Sequence, residues 1–185
     1  MKKYLILLVL SLSINPAWAD KYTDTIDVFK NAGGSATFFK NSYGYAVFPT
    51  IGKAGLGIGA AHGKGRVYEK GVYKGDTSMT QVSIGFQAGG QAFSQIVFFQ
   101  DKRAFKEFTS GNFEFGAQAS AVAITAGAQA TATTTGQSAG ASGGKNDATT
   151  VGKYNKGMGI FTVAKGGLMY EAAVSGQKFT YKAKK

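Results

Sequence analysis

Side chains that could perform catalysis are few in this chain. Its 185 residues include no cysteine and a single histidine, His62. Cysteine nucleophiles and thiolate metal sites are therefore excluded, and most zinc or serine-triad chemistry is disfavoured. Segments 136–140 and 140–144 match the G-x-S-x-G pattern of a nucleophile elbow, but both lie in low-complexity sequence downstream of the histidine. We therefore predict a non-enzymatic protein with no catalytic residue, no bound metal and no cofactor.

Positive charge is the feature with the clearest chemical consequence. The chain has 21 lysine and arginine residues against 10 aspartate and glutamate residues, for a formal net charge of +11. Residues 151–185 contain seven lysines, and Glu171 is their only acidic residue. Such an excess favours anionic partners such as phospholipid headgroups, lipopolysaccharide phosphates or nucleic acid. The alternative is a charged surface that keeps the protein soluble and binds nothing.

Lysines alternate with apolar residues near the C-terminus. If residues 178–184 form a strand, its two-residue period places Lys178, Lys182 and Lys184 on one face and the aromatic rings on the other. These three lysines, together with Lys153 and Lys156, are the candidate lipid-binding residues. In the alternative interpretation the lysines protect a terminal edge strand from aggregation and bind no ligand.

The first 19 residues have the pattern of a secretory signal peptide. Lys2 and Lys3 precede an apolar run at 4–10, which is too short to span a bilayer comfortably. The sequence Ala17-Trp18-Ala19 then supplies a small-x-small cleavage site. We therefore expect Asp20 to be the first residue of a periplasmic or secreted protein that is at most peripheral on an envelope membrane. Export also argues against nucleic acid as a partner.

The mature chain, residues 20–185, is predicted to be a single domain that begins with short helices. Tyr22, Ile26 and Phe29 recur at helical spacing. After a glycine pair, Ser35 is predicted to cap a second short helix, and Asp101 is predicted to cap a third. The composition of residues 133–150 predicts a mobile loop, because the segment has no apolar residue larger than alanine.

From Tyr43 onward the sequence predicts β-structure. Short runs punctuated by glycine, such as 82–88 and 96–99, are typical of strands in an antiparallel sheet. The fold class is therefore α+β, mainly antiparallel β, with one curved sheet, a sandwich or a partly closed barrel behind short N-terminal helices. The residues that we expect in its core from these two runs are Ile84, Phe86, Val97 and Phe99.

Several glycine-rich blocks resemble a known family. The blocks are Gly44-Tyr45-Ala46-Val47-Phe48-Pro49, the segments 53–59 and 63–65, Gly85-Phe86-Gln87-Ala88-Gly89-Gly90-Gln91, and Lys156-Gly157-Met158-Gly159-Ile160-Phe161. In this order they resemble the SYLF lipid-binding family, including its exported bacterial members, over nearly the whole mature chain. The resemblance implies one compact domain that binds lipids without catalysis. In eukaryotic members the lipids are phosphoinositides, and those members also associate with actin.

Three functions are consistent with these features. The leading prediction is a non-enzymatic periplasmic module, similar to SYLF domains, that binds anionic phospholipid or a membrane surface. A small outer-membrane β-barrel is the first alternative, because glycine-aromatic strands and a signal peptide also suit that class. An envelope scaffold that offers a sheet edge to partner proteins is the second.

Overall fold

The computed structural model describes residues 20–125, 149–150, 154 and 156–185, and the side chains at 33, 86–87, 112, 115–125, 149–150 and 166–175 are outside this description. The predicted signal peptide and most of the predicted loop at 133–150 therefore lie outside the described residues. The described elements are α1 (Lys21–Asn31), α2 (Gly33–Asn41), β1 (Gly44–Glu69), β2 (Val72–Phe99), α3 (Lys102–Phe108), β3 (Asn112–Thr125), β4 (Thr149–Thr150) and β5 (Met158–Ala183).

The first helix buries the apolar residues that the sequence predicts to lie on one of its sides. Tyr22, Ile26 and Phe29 are all buried on one side of α1, and the Asp20 side chain caps the helix by accepting a hydrogen bond from the Tyr22 amide at 3.2 Å. The prediction for Ser35 is wrong, because α2 begins before it. The Ser35 hydroxyl instead donates to the Phe29 carbonyl at 2.6 Å, which satisfies a carbonyl left open at the end of α1.

The third helix is capped as predicted. Asp101 accepts a hydrogen bond from the Ala104 amide at 2.8 Å, so its side chain satisfies a donor in the first turn of α3. None of the described helices is long and apolar enough to cross a membrane.

The strands form one antiparallel sheet, as the sequence predicts. Its order is β1-β2-β5-β3, and β4 also pairs with β5. The strands are far longer than expected, with 26 residues in β1, 28 in β2 and 26 in β5. The two runs that predicted separate strands, 82–88 and 96–99, both belong to β2. Glycines and register shifts bend these strands instead of ending them.

The sheet folds back on itself at a bend in β1, which we define as residues 55–59. Gly57 has a φ of +73° there, a conformation that favours glycine. A Cβ atom on Gly63 would lie 2.9 Å from the carbonyl oxygen of Thr50, and one on Gly65 would lie 2.7 Å from that of Val47. The two halves of β1 are therefore in backbone contact and form two layers.

Two apolar clusters hold these layers. Between the layers and α3 lies an inner cluster that includes Phe48, Met79, Phe99, Phe108 and Phe179. An outer cluster lies between the sheet and the first two helices, and its members include Tyr22, Ile26, Phe29, Val47, Ile96, Phe98 and Phe161. The run 96–99 is thus buried on both sides, which confirms the core positions predicted for Val97 and Phe99.

The core position predicted for Ile84 is wrong. Its side chain is 66% exposed, and Val82 is 53% exposed. Ser83, which lies between them, is fully buried, so the side chains alternate between the two faces as in a strand. The alternation itself is correct but its inner and outer faces are reversed, because near the bend the space between the layers holds polar side chains. The side chain of Phe86 is outside the described set, so its position stays a prediction.

The close approach of the β1 layers predicts unequal effects of two glycine substitutions. Gly65→Ala should lower the free energy of unfolding by about 1–3 kcal/mol, because its methyl group would overlap Val47 and Phe48. Gly52→Ala is the matched control, since nothing lies within 4 Å of its Cβ position, and it should change stability by no more than about 0.5 kcal/mol. Urea unfolding measures both. Equal effects would contradict the layered arrangement.

Candidate functional site

The C-terminal part of β5 presents the predicted row of lysines. Phe179 is buried in the inner cluster, and Tyr181 packs against it. Lys178 and Lys182 are exposed on the opposite face, which we call the outer face of the sheet. The two-residue alternation is therefore confirmed for these residues. Lys184 follows the end of β5, and its ammonium group lies 5.4 Å from the centre of the Tyr73 ring.

The edge-strand interpretation is wrong for Lys178. β5 lies between β2 and β3, so Lys178 has Thr80 opposite it on one side and Glu114 on the other. Its ammonium group is 3.2 Å from the Glu114 carboxylate, and both side chains are more than half exposed. An exposed pair of this kind contributes little stability, so Lys178 can exchange this partner for another anion at small cost.

The other two candidate lysines do not extend the row. Lys156 lies in the turn before β5, with a φ of +52°, and is exposed. Its neighbour Gly157 lies against α3, where an added Cβ would be 2.8 Å from an Arg103 nitrogen. Lys153 lies outside the described residues. The five predicted lysines are therefore not shown as one patch, and their role in binding stays a prediction.

At one end the outer face is closed by α1. The Arg66 guanidinium lies 4.1 Å from the centre of the Tyr22 ring and 5.2 Å from that of Tyr73, and it donates to the Asp20 carboxylate at 2.7 Å. Tyr45 stacks on Tyr68 nearby, with the ring centres 5.1 Å apart, and burial raises the pKa of Tyr45 to about 12. Through its contacts with Asp20 and Tyr22, the Arg66 guanidinium holds α1 against the sheet.

Toward the bend, the space between the layers is polar. Gln81, Ser83 and Gln95 are all at least 95% buried. Gln177 links the two layers, since its amide nitrogen donates to the Gln81 oxygen at 2.9 Å and its oxygen accepts from Gln95 at 3.3 Å. Lys53 is also buried here, with 6% of its surface exposed. These hydrogen bonds set which face of each strand is turned inward.

Apolar side chains occupy the outside of the same region. Leu56 is 85% exposed and Ile58 is 66% exposed, both within the bend. Ile58 lies opposite Ile84 in the register, and Val82 is exposed two residues along β2. We call these four side chains the apolar tip. Our sequence analysis missed Leu56 and Ile58, although a bend could have been suspected where glycine occupies every second position from 55 to 59.

Basic residues lie above the apolar tip on both layers. In one layer, His62 on β1 is opposite Thr80 on β2, and Thr80 is opposite Lys178 on β5. This row lies four residues along the strands from the Ile58–Ile84 pair. On the other layer Lys165 is exposed, and its ammonium group donates to the Thr50 hydroxyl at 3.1 Å. Thr50 lies against Gly63, which follows His62 in the chain. Lys165 and His62 are therefore at a similar distance from the apolar tip, measured along the strands.

This arrangement is a candidate binding surface. Among the described residues, no three histidine, aspartate or glutamate side chains come together in a way that could hold a metal ion. An uncovered sheet face with an apolar end and basic residues above it is a candidate interaction surface of a β-rich module. The predicted lack of catalysis and cofactors stays a prediction.

Comparison with known proteins identifies the family. Residues 80–184 match the family model Ysc84, described as Las17-binding protein actin regulator. The chain therefore belongs to this family, also called SYLF, which confirms the resemblance. It is 30% identical over 159 residues to Beta cell expansion factor A of Aeromonas veronii. That alignment covers 85% of this chain but 52% of the relative, so the chain spans about half the length of that protein. No solved structure gives a significant match.

Proposed function

We propose that the protein is a non-enzymatic module that binds reversibly to anionic phospholipid membranes. The observation that carries the proposal is the exposed outer face of the sheet, where Lys64, Lys178 and Lys182 face solvent from two strands. Each lysine near an anionic bilayer contributes about 1 kcal/mol, so three or four can hold a peripheral protein. Membership in the SYLF family supports lipid as the ligand class.

We further propose that the protein acts outside the cytoplasm, in the periplasm or after secretion. The signal pattern at 1–19 supports this location. Asp20 also has a structural role as both the cap of α1 and the partner of Arg66, so cleavage before it leaves the folded domain intact. The intact mass of the exported protein tests the cleavage site, and a mass that still includes residues 1–19 would contradict it.

Protein partners are a second class of ligand that the family description names, as Las17 and actin. A sheet edge on an envelope scaffold could also take a protein strand. The exposed lysines and apolar tip do not favour one protein partner, whereas both match the chemistry of a lipid surface. Membrane binding is therefore the function that the geometry supports best.

Removing the lysine row should weaken membrane binding. The variant Lys178→Gln, Lys182→Gln, Lys184→Gln should bind vesicles of phosphatidylcholine and phosphatidylglycerol on the order of 100-fold more weakly at low salt, and the difference should shrink at high salt. The substituted side chains are exposed, so the fold should be retained. Vesicle flotation measures the binding, and circular dichroism checks the fold.

A matched control removes the same charge elsewhere. Lys40, Lys102 and Lys106 are exposed on α2 and α3, so their replacement by glutamine lowers the net charge equally without touching the outer face. This control should bind close to the wild-type level. The proposal is wrong in this form if the two folded triple variants lose binding equally, because only overall charge would then matter.

A further inference from the structure

We infer that the apolar tip of the sheet enters the hydrocarbon of an anionic bilayer, while the basic residues above it bind the lipid phosphates. The inference rests on the proposed membrane-binding function and adds to it a contact surface, a depth and an orientation. The bend of β1 would face the membrane, and the helices at the other end of the sheet would face away from it.

Exposure of the tip is a consequence of the fold. Large aliphatic side chains such as Leu56 and Ile58 are normally buried, and burying one fully is worth about 1.5–3 kcal/mol. Here the opposite face of the sheet is already committed to the hydrogen-bonded glutamines Gln81, Gln95 and Gln177. A register slip of one residue would bury the apolar side chains but leave the glutamines without their partners. The sheet therefore keeps its apolar residues outside.

The register places this apolar level on both β1 and β2. Ile58 is opposite Ile84, and both side chains are exposed. Two residues further along, Ala60 is opposite Val82. A polar interior combined with an apolar exterior is the pattern of a sheet whose outer face contacts lipid.

The height of the basic residues matches the dimensions of a bilayer. Lys178 is four residues above the Ile84 level, which is about 13 Å along an extended strand. Lys165 lies at a similar height on the other layer. Interfacial segments bury apolar side chains about 5–10 Å deep, and the headgroup region on each side is about 5–7 Å thick. With the tip at that depth, the flexible lysine side chains reach the phosphates.

A lipid surface suits this site better than a second copy of the chain. A standard stable protein interface uses about 20–30 residues a side, and the described tip has four large side chains. The basic residues on both layers would repel the same residues of a second copy, but they attract anionic lipid. Charge complementarity therefore selects the bilayer as the occupant.

A fluorescent label at the tip tests the insertion. The chain has no cysteine, so Ile58→Cys carries a single environment-sensitive label on the full mature protein. With vesicles of phosphatidylcholine containing one third phosphatidylglycerol, its emission should shift to the blue and increase. The matched control is Val72→Cys, because Val72 is 60% exposed but is the first residue of β2, at the far end of the same strand pair. Its emission should not change.

Unlabelled variants separate insertion from charge attraction. Leu56→Gln with Ile58→Gln should weaken binding at least tenfold at high salt, where the contribution of the lysines is screened. Val72→Gln should bind as the wild type does. If the double variant binds normally while the lysine variant does not, the insertion is wrong and the proposed function stands. If the wild-type protein binds no anionic vesicles, both are wrong.

Other occupants of the tip would also be visible in these measurements. A label at position 58 that is already blue-shifted without vesicles, in a protein whose mass by light scattering is that of a dimer, would mean that a second copy covers the tip. The same emission from a monomer would mean that the chain covers its own tip. Either result would overturn the inference.

Discussion

The close approach of the two halves of β1 is the constraint on which the rest of the structure depends. Glycines such as Gly63 and Gly65 allow the backbone of one layer to lie directly against the other. The space between the layers is therefore limited, and its contents differ along its length. Near α3 it is filled by phenylalanines, whereas near the bend it is filled by glutamines that hydrogen-bond across the layers. The contents of this space decide which side chains are left on the outer face of the sheet.

The polar interior determines what the outer face can do. Because side chains alternate between the faces of a strand, inward glutamine and serine residues force their aliphatic neighbours outward. At the helix end α1 covers the outer face and builds a core, with Arg66 and Tyr22 at its boundary. At the bend end no described helix covers it. An apolar surface below exposed lysines is thus a product of the same register that satisfies the interior.

Much of the local structure could be predicted from the sequence, because local patterns encode it. The α1 stripe, the Asp101 cap and the lysine alternation in β5 depend on spacing within a few residues. Which face of β2 is inside near Ile84 depends instead on contacts with Gln177, almost a hundred residues away, and alternation alone cannot reveal it. The lysine row could be predicted because its alternation is local in the sequence. The apolar tip could not be predicted, because its exposure depends on the bend in β1.

The central claim, that the bend end of the sheet enters the membrane, is tested most directly by the depth of spin labels in bound vesicles. Nitroxides placed one at a time at positions 58, 178 and 72 report their exposure to oxygen in the hydrocarbon and to a water-soluble nickel complex. Our account predicts position 58 below the phosphates, position 178 level with them and position 72 in water. Equal access of the nickel complex to positions 58 and 72 in the bound protein would contradict it.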